Sequence, residues 1–378
     1  MTAVAAILLS ACLAATKDTG GGVDPYGFER ARASVIRSAV AKIAPSIVTI
    51  ETIGGAQPLA GGGREAAFKL AEGPTTGLVW SSDGLILTSS FNFARKPSII
   101  TVTLPDGRRA VATLLGRDEI RRLALLKIEA SDLVVPEWVK RDALRVGQYA
   151  LACGRALGGE VARRTDSETT PTDGLFVSLG IVSALDRRNG NAVQTDAKVS
   201  PVSYGGPLID MEGRVIGLLV PMAGAGGALA GAEWYDSGIG FAIHREKVDF
   251  VADRLAAGET IQSGKIGIRL AVDKEESLIP LLDKLLPPTK GVKIGHVAEH
   301  SPASRAKLRK GDKILAIDGR PTGDMMELLR LLSDRAAGEE ITLTIQRRWR
   351  KLDVKLRLVP LSKIGQPASR PEEQDDGG

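Results

Sequence analysis

Histidine and cysteine, which commonly act as catalytic bases, nucleophiles and metal ligands, are rare in this 378-residue chain, with three histidines and two cysteines. The histidines and cysteines are His244, His296, His300, Cys12 and Cys153. A serine becomes a nucleophile when a neighbouring base, most often histidine, takes its hydroxyl proton. Ser203, in a Gly-rich turn, is a conceivable nucleophile, but the sequence indicates no base for it. His244 ends an apolar run, which is typical of a surface or capping residue at a strand end.

The spacing of His296 and His300 raises the question of a metal site. On a helix, histidines four residues apart can share one zinc ion. Here they flank residues 297–299 ahead of a Ser-Pro pair, in a strand-to-loop context, so their rings should not converge. No third ligand accompanies them, and we expect no metal. Cys153, within Ala-Leu-Ala-Cys-Gly, is typical of a buried strand thiol. No cofactor of any kind is indicated.

The composition favours short strands in more than one folded domain. Hydrophobic residues make up 43% of the sequence, enough to build cores. Glycine contributes 43 residues and aromatics only 4%, which favours turns and strands over long helices. The length suits two domains with terminal extensions. The formal net charge of +5 is too mild to indicate a nucleic-acid partner.

Periodicity predicts the elements that position these residues. A helix is predicted over residues 28–43, where Pro45 ends it. Strand-like segments follow at residues 47–52, 77–80, 85–88, 99–104, 110–115 and 123–128, and a second group runs through residues 149–243. Asp-Gly pairs at residues 83–84 and 106–107 are hairpin turn signals. Two clusters of short strands argue for paired antiparallel barrels rather than an α/β sheet.

Three segments in this region carry recognisable motifs. They are residues 82–91, Ser-Asp-Gly-Leu-Ile-Leu-Thr-Ser-Ser-Phe; residues 122–128, Arg-Leu-Ala-Leu-Leu-Lys-Ile; and residues 194–208, with Gln-Thr-Asp-Ala and then Ser-Pro-Val-Ser-Tyr-Gly-Gly-Pro-Leu. In order and spacing they resemble D-G-(Y/L)-I-L-T-N-N-H, D-L-A-L-L-K-I and Q-T-D-A…N-P-G-N-S-G-G-P-L of the HtrA/Deg family of trypsin-like proteases. The resemblance covers roughly residues 30–257. It implies a mainly β fold, a chymotrypsin/trypsin-like double β-barrel.

The departures from the family pattern fall on its chemistry. The resemblance places the family's base at Phe91, its orienting acid at Arg122 and its nucleophile at Tyr204. Phenylalanine accepts no proton, arginine is always cationic, and a tyrosine phenol with a pKa near 10 is a poor acyl carrier. The glycine whose amide helps to form the oxyanion hole is replaced by Val202. We therefore expect no catalytic residue and no enzymatic activity.

The C-terminal region resembles the PDZ domain, an α+β fold, that follows the protease in this family. The match rests on Gly-Asp-Lys-Ile-Leu-Ala-Ile-Asp-Gly at residues 311–319 and on a helix predicted over residues 324–333. PDZ domains bind a peptide C-terminus as an added strand, with main-chain amides holding the carboxylate. The peptide-binding residues that the resemblance implies are Lys265, Ile266, Gly267, Ile268 and Leu329. Met325, Leu328, Leu329 and Leu332 recur on one helical face. This face could be plain core, but we expect it to be divided between core and pocket, with Leu329 as the pocket wall.

Residues 347–351, Arg-Arg-Trp-Arg-Lys, lie between two predicted strands and read as a hairpin tip. A solvated basic turn explains them most simply. Contact with anionic lipid headgroups is the alternative interpretation.

The N-terminus indicates export. Residues 1–15 are apolar and too short to span a bilayer, as in a signal peptide. Residues 9–12, Leu-Ser-Ala-Cys, resemble a lipobox, which implies that Cys12 is lipidated. The alternative is an ordinary signal peptide that is cleaved near Ala14 or Ala15. The expected organisation is a signal or lipoprotein signal over 1–15, a linker over 16–28, a protease-like domain over 29–257, a PDZ domain over 265–360 and a disordered tail over 361–378. We expect a periplasmic or envelope location.

The expected function is therefore that of an HtrA-like pseudoprotease, which binds unfolded or C-terminal peptides as an adaptor, sensor or chaperone. The alternative is a serine-type endopeptidase of the same family. Tyr26 and Phe28 resemble aromatics that family members use to trimerise, which implies a homotrimer; a mixed oligomer with an active paralogue is the other option. We expect no nucleic-acid partner, and membrane contact only through a lipid anchor.

Overall fold

The structure is a computed structural model that describes residues 26–53, 57–58, 69–70, 74–93, 97–155, 172, 174–190, 192–221, 239–271 and 291–365. Contacts divide the chain into two compact units, one up to Thr260 and one from Ile261 onward. The predicted signal segment over residues 1–15, with Cys12, and residues 16–25 of the predicted linker lie outside the described residues. Residues 27 and 28, which the predicted linker also includes, belong instead to the first helix, so the linker prediction extends too far.

Helix α1 and a closed antiparallel barrel form the first half of unit one. Helix α1 spans Gly27–Ile43 and gives way to a 3-10 turn that contains Pro45, since proline cannot continue a helix. The strands are β1 Ile47–Ile53, β2 Gln57–Pro58, β3 Lys69–Leu70, β4 Thr75–Val79, β5 Leu85–Ser89, β6 Ile99–Thr103, β7 Arg109–Asp118 and β8 Leu123–Ile128. The barrel order is β7-β6-β1-β4-β5-β8, closed by β7–β8 pairing, while β2 and β3 pair separately. Inward-facing aliphatic side chains fill it.

A second closed barrel follows in the same unit. Its strands and helices are β9 Tyr149–Arg155, β10 Leu175–Asp186, α2 Arg187–Gly190, β11 Ala192–Thr195, β12 Pro207–Ile209, β13 Val215–Val220, β14 Gly240–Ile243 and α3 Arg245–Ala256. The barrel order is β10-β11-β14-β13-β12-β9. Helix α3 buries Val248, Val251 and Leu255, three residues on one helical face. The mainly β, double-barrel fold is confirmed.

The described part of unit two is a small sheet with two helices. After β15 Thr260–Ile261 at the boundary, its elements are β16 Ile268–Leu270, β17 Val292–Val297, α4 Pro302–Arg305, β18 Lys313–Ile317, β19 Arg320–Pro321, α5 Met325–Ser333, β20 Glu340–Arg347 and β21 Arg350–Arg357. The sheet order is β16-β17-β18-β20-β21, with β19 on β18. Asp324 caps α5 by accepting a hydrogen bond from the Glu327 amide at 2.8 Å.

Several boundaries can be set beside the predictions. Helix α1 begins one residue before the predicted residue 28 and ends at the predicted residue. Residues 361–365, which fall in the predicted disordered tail, are described and include a 3-10 turn at Leu361–Lys363; the rest of the tail lies outside the described residues. Among the described helices, none has the length and apolarity to cross a membrane.

Candidate functional site

The structure brings two of the three degenerate triad positions into contact. Phe91 lies in the 3-10 turn that follows β5, and Tyr204 lies just before β12. Their ring centroids are 5.2 Å apart with an interplanar angle of 66°, an edge-to-face aromatic pair. Tyr204 is only 8% exposed, and burial raises the pKa of its phenol above the ordinary value. An apolar contact therefore occupies the place where base and nucleophile would share a hydrogen bond.

Arg122, the third position, is bound to this region through its backbone. Its carbonyl accepts a hydrogen bond from the Ser90 amide at 2.8 Å, next to Phe91. The residue adopts a φ of 62°, in the left-handed region. Its Nε atom is buried and has no hydrogen-bond partner among the described residues. A cation at this position would oppose any imidazolium formed beside it.

Asp118 is a nearby carboxylate, but it is fully engaged elsewhere. Its Oδ2 atom accepts from Nη1 of Arg121 at 2.8 Å, and its Oδ1 accepts from the amides of Ile120 and Arg121 at 2.8 and 3.1 Å. Asp118 is 0% exposed and Arg121 2%, and the guanidinium lies 5.2 Å from the ring centroid of Phe250. This buried ion pair is structural, so its carboxylate is not available to orient a base.

The amides of the turn before β12 donate hydrogen bonds inside the protein. Those of Ser203, Tyr204, Gly205 and Gly206 donate to the carbonyls of residues 200, 201, 219 and 203, at 2.9, 3.2, 2.8 and 2.9 Å. Val202 sits in the 3-10 turn at residues 201–203. An oxyanion hole needs free donors aimed at one point. In this conformation the Tyr204 amide donates to the Pro201 carbonyl and is not available as an oxyanion-hole donor.

Ser203 is also unsuitable as a shifted nucleophile. It is 1% exposed, and its hydroxyl donates to the Ser200 carbonyl at 2.7 Å while accepting from the Ser200 amide at 2.9 Å. These bonds form a capping box at the start of the 3-10 turn. Its role in this structure is to shape the turn.

The same turn is fastened to the first barrel by two threonines. The Thr75 hydroxyl donates to the Tyr204 carbonyl at 2.7 Å, and the Thr76 hydroxyl donates to the Val202 carbonyl at 2.8 Å. Gly205 has a φ of 88°, and a Cβ there would lie 2.1 Å from the Thr76 carbonyl oxygen. The close approach and the hydrogen bonds together fix the turn, so its amides are not free to reorient without breaking several contacts.

For His244 the sequence predicts a surface or a capping residue, and the structure gives a buried residue at a cap position. It is 5% exposed and stands at the N-cap of α3, but its side chain makes no capping hydrogen bond. Burial lowers the pKa of its imidazole, and Nδ1 has no partner among the described residues. It lines an open pocket of about 300 Å³ formed by residues 138–142 and 244–246, in which neither Ser203 nor Tyr204 takes part. His244 is therefore not placed as a base for either residue.

Cys153, His296 and His300 are the other chemistry-bearing residues singled out in the sequence. Cys153 is 0% exposed in β9, and burial raises the pKa of its thiol to about 12, which confirms the prediction of a buried strand thiol. His296 lies in β17 and His300 in the following turn with a φ of 50°, so helical spacing does not apply to them.

In unit two, the predicted carboxylate loop precedes an edge strand. Strand β16 pairs only with β17 among the described strands, which leaves its other edge open for an added strand. The carbonyls of Ile266 and Gly267 accept from the amides of Ala303 and Ala298, whereas the amides of Ile266 and Gly267 make no hydrogen bond to a described residue. Lys265 pairs with Val359 through both backbone groups. The loop thus keeps two donors for a ligand.

The structure gives a reason for glycine at position 267 that could not be predicted from the sequence. Its φ is 84°, and a Cβ there would lie 2.2 Å from Cβ of Ser301. Packing against Ser301, the N-cap residue of α4, therefore requires glycine at this position. The sequence-based reason, close approach of a peptide ligand to the backbone, is independent of this contact. A larger residue here would disturb the fold as well as the binding of peptides.

On helix α5 the predicted apolar face is divided between core and surface, as expected. Leu328 and Leu331 are its buried residues, and Leu332 packs against the core in part. Leu329 is 45% exposed and Met326 70%. Leu328 therefore belongs to the core, whereas Leu329 is left available for a ligand. The sequence did not predict that Met326 is an exposed apolar residue of α5, because it lies outside the i, i+3, i+4, i+7 spacing that selected Met325, Leu328, Leu329 and Leu332.

Comparisons with known families agree with this architecture. The trypsin-like peptidase domain family matches residues 75–218, and the PDZ domain family matches residues 264–358. A Synechocystis protein named as a serine protease, HhoA, is 30% identical over 305 residues, covering 76% of this chain and 71% of the relative. The chain belongs to the HtrA family of trypsin-like proteases with PDZ domains.

Further relatives are longer than this HtrA-family chain. A DegP-like periplasmic serine endoprotease of Hahella chejuensis is 30% identical over 294 residues, 76% of this chain but 57% of the relative. The serine protease PepD of Mycobacterium tuberculosis is 29% identical over 332 residues, 82% of this chain and 63% of the relative. The chain thus spans under two thirds of the length of both relatives.

Solved structures share the fold. The HtrA-type protease AlgW with a tripeptide has a TM-score of 0.62 at 25% identity, covering 88% of this chain and 98% of that one. A serine endoprotease from Yersinia pestis has a TM-score of 0.61 at 24% identity, with 86% and 98% covered. Relatives named as serine proteases favour the endopeptidase alternative over the pseudoprotease expected from the sequence. The side chains at residues 91, 122 and 204 favour the opposite conclusion.

Proposed function

We propose that this HtrA-family chain is a non-catalytic member that captures peptides through its PDZ domain, in the manner of an adaptor, sensor or chaperone. The observation that carries the proposal is the edge-to-face pair of Phe91 and Tyr204, 5.2 Å apart between centroids. Acyl transfer needs a base within hydrogen-bond reach of the nucleophile. A phenyl ring has no lone pair to accept the proton, and the buried phenol has a raised pKa.

Two features of the surroundings support the same proposal. The Tyr204 amide is already bonded to the Pro201 carbonyl at 3.2 Å, so charge on an acyl oxygen would lack this donor. Removing one such donor costs an active protease a factor of about 10² to 10³ in rate. Arg122 adds a positive charge where a negative one is needed.

The surviving activity in this proposal is binding. The free amides of Ile266 and Gly267 suit a terminal carboxylate, and the exposed Leu329 suits an apolar side chain beside it. The ligand class is therefore peptides or unfolded chains that end in a free, apolar residue.

The second candidate is a serine endopeptidase, favoured by the names of the relatives. The two candidates differ in what happens to a bound peptide.

We also propose an exported, envelope location, supported by periplasmic relatives, with Cys12 as a lipid attachment site. A homotrimer or a mixed oligomer with an active paralogue is proposed through Tyr26 and Phe28, which are 67% and 60% exposed.

One sample can test binding and cleavage together. The full chain is titrated with fluorescent peptides that end in a free, apolar residue, and the peptides are then recovered for mass spectrometry. We expect saturable binding with every peptide intact. The amidated peptide is the control, and it should bind about 10- to 100-fold more weakly because a charge-assisted hydrogen bond contributes about 1.5 to 3 kcal/mol. Cleaved peptide would support the endopeptidase, and equal binding of the amidated form would rule out carboxylate capture.

A further inference from the structure

The hairpin of β20 and β21 ends in an unusually exposed aromatic residue. The last paired residues are Arg347 and Arg350, and a two-residue turn, Arg348 and Trp349, joins them. Arg348 adopts a φ of 54°, as the first position of a tight hairpin turn demands. Trp349 is 95% exposed, more than any other large hydrophobic residue that the structure describes. One exposed aromatic side chain is common on protein surfaces, so Trp349 points to a ligand only together with the charges beside it.

A buried ion pair holds a second basic segment beside the hairpin. Nε and Nη2 of Arg347 donate to the two carboxylate oxygens of Asp312 at 2.8 and 2.7 Å, and Nη2 also donates to the Lys307 carbonyl at 2.8 Å. Asp312 is 2% exposed. The loop that carries Lys307 and Lys310 is thereby held against Arg347, the last paired residue before the hairpin turn. We call Arg348, Trp349, Arg350, Lys351, Lys307 and Lys310 the basic tip.

Within the part of the chain that the structure describes, no carboxylate neutralises the charge of the basic tip. Arg348, Arg350, Lys351, Lys307 and Lys310 form no salt bridge with a described carboxylate. Some arginines elsewhere in the same unit do, as in the pairs of Arg330 with Glu327 and of Arg335 with Asp318. Five cations without a described carboxylate partner thus lie on two neighbouring segments, which the hydrogen bond from Arg347 to the Lys307 carbonyl joins.

Clustered cations around a projecting tryptophan match one kind of surface. Tryptophan favours the headgroup region of a bilayer, where its amphipathic ring is part apolar and part wet. Each lysine or arginine near an anionic leaflet contributes attraction to the lipid phosphates. A single-stranded nucleic acid is bound along a basic groove that tracks its backbone, whereas this tip is a two-residue turn at the end of a hairpin. A protein partner would need a groove that is both acidic, for the cations, and able to bind the Trp349 ring. A bilayer interface supplies both properties on one surface.

We propose that the basic tip docks unit two on the surface of an anionic lipid bilayer, with Trp349 in the interface and the cations at the phosphates. This differs from the expectation of membrane contact through a lipid anchor alone, and it does not depend on the catalytic state of the first unit. Docking by the tip would hold the peptide-binding unit at the membrane through contacts that salt can reverse.

The test uses the full chain with Cys12→Ser, so that no lipid is attached, and vesicles sedimented after mixing. Vesicles of phosphatidylcholine with an equal amount of phosphatidylglycerol should bind the protein, and vesicles of phosphatidylcholine alone should bind it much less. Raising the salt concentration should release it. The double variant Arg350→Gln with Lys351→Gln should weaken binding about 25-fold, at about fivefold for each cation removed.

The matched control removes the same charge elsewhere in unit two. Arg320 and Lys355 are exposed and lie on β19 and β21, away from the tip. Arg320→Gln with Lys355→Gln should leave vesicle binding within about twofold, because screening weakens charges beyond about 10 Å. Trp349→Phe should keep most of the binding but abolish the blue shift of tryptophan fluorescence that vesicles produce in the parent chain.

Three results would overturn the proposal. The first is no preference for anionic vesicles by the parent chain. The second is equal loss of binding in the tip variant and in the control variant, which would indicate an effect of net charge alone. The third is binding to heparin or single-stranded nucleic acid through the tip cations without binding to vesicles, which would indicate a soluble polyanion as the partner.

Discussion

Replacing Tyr204 with serine restores the family's nucleophile type, yet we expect it to lower stability without producing activity. Tyr204 is 8% exposed, and its ring lies edge-on to that of Phe91. Truncating a buried aromatic side chain costs about 3 to 5 kcal/mol, from lost transfer free energy and from the cavity that remains. The aromatic pair itself accounts for about 1 kcal/mol of that loss. We therefore expect the free energy of unfolding to fall by about 3 kcal/mol or more.

The new hydroxyl would have no partner to activate it. Phe91 accepts no proton, His244 lies in a pocket that does not include Tyr204, and the Asp118 carboxylate is bound to Arg121. Members of a triad act as a unit, so one of them alone gives almost nothing. Adding Phe91→His and Arg122→Asp still leaves the oxyanion site unbuilt. We expect activity only when Val202→Gly is also present, if the turn can then free its amides.

Urea unfolding and a casein assay measure the two effects in the same preparations. Tyr204→Phe is the control, because it keeps the ring and should remain within about 1 kcal/mol of the parent. Casein hydrolysis by Tyr204→Ser alone would show that a base exists elsewhere and that the alignment of these positions is wrong. Unchanged stability in Tyr204→Ser would show that the ring pair is not the packed contact described above.

Three further predictions concern stability and can be checked by urea unfolding. Arg121→Ala should cost about 3 to 5 kcal/mol because it leaves Asp118 charged, buried and unpaired, whereas Arg121→Met with Asp118→Asn should cost less; equal losses would refute this. The pKa of Tyr204 is raised by burial above its ordinary 10.0, so the folded state keeps a proton that the unfolded chain loses, and stability should fall as pH rises above about 10, less so in Tyr204→Phe. The same fall in both proteins would contradict the raised pKa. Gly267→Ala should destabilise unit two more than Gly311→Ala, where φ is also positive but no atom lies within 4 Å; the reverse order would refute the contact with Ser301.

Much of the fold was accessible from the sequence because its determinants are local. Alternating apolar residues and Asp-Gly pairs predict short strands and hairpins, as at β4 and β5. The motif segments around Phe91 and Tyr204 then specify which barrels those strands build. Helix α1 ends where Pro45 removes the next backbone donor.

What the sequence did not disclose depends on contacts between distant segments. The pairing of Phe91 with Tyr204 joins residues from different barrels, and no periodicity reports it. His244 ends an apolar strand, yet it is 5% exposed and lines a pocket with residues 138–142, which lie about a hundred residues earlier in the chain. The collision that Gly267 avoids comes from Ser301, far along the chain. On α5, spacing alone could not separate Leu328 in the core from the exposed Leu329.

Labelling with a fluorophosphonate probe tests the central claim most directly, because the probe reports any activated serine without requiring a known substrate. The full chain is incubated with the probe beside an active HtrA-family protease, and intact mass spectrometry follows. The account predicts complete labelling of the active protease and no mass increase in this chain. Labelling of Ser203 or any other serine, lost when that serine is replaced by alanine, would contradict the account and establish a serine endopeptidase.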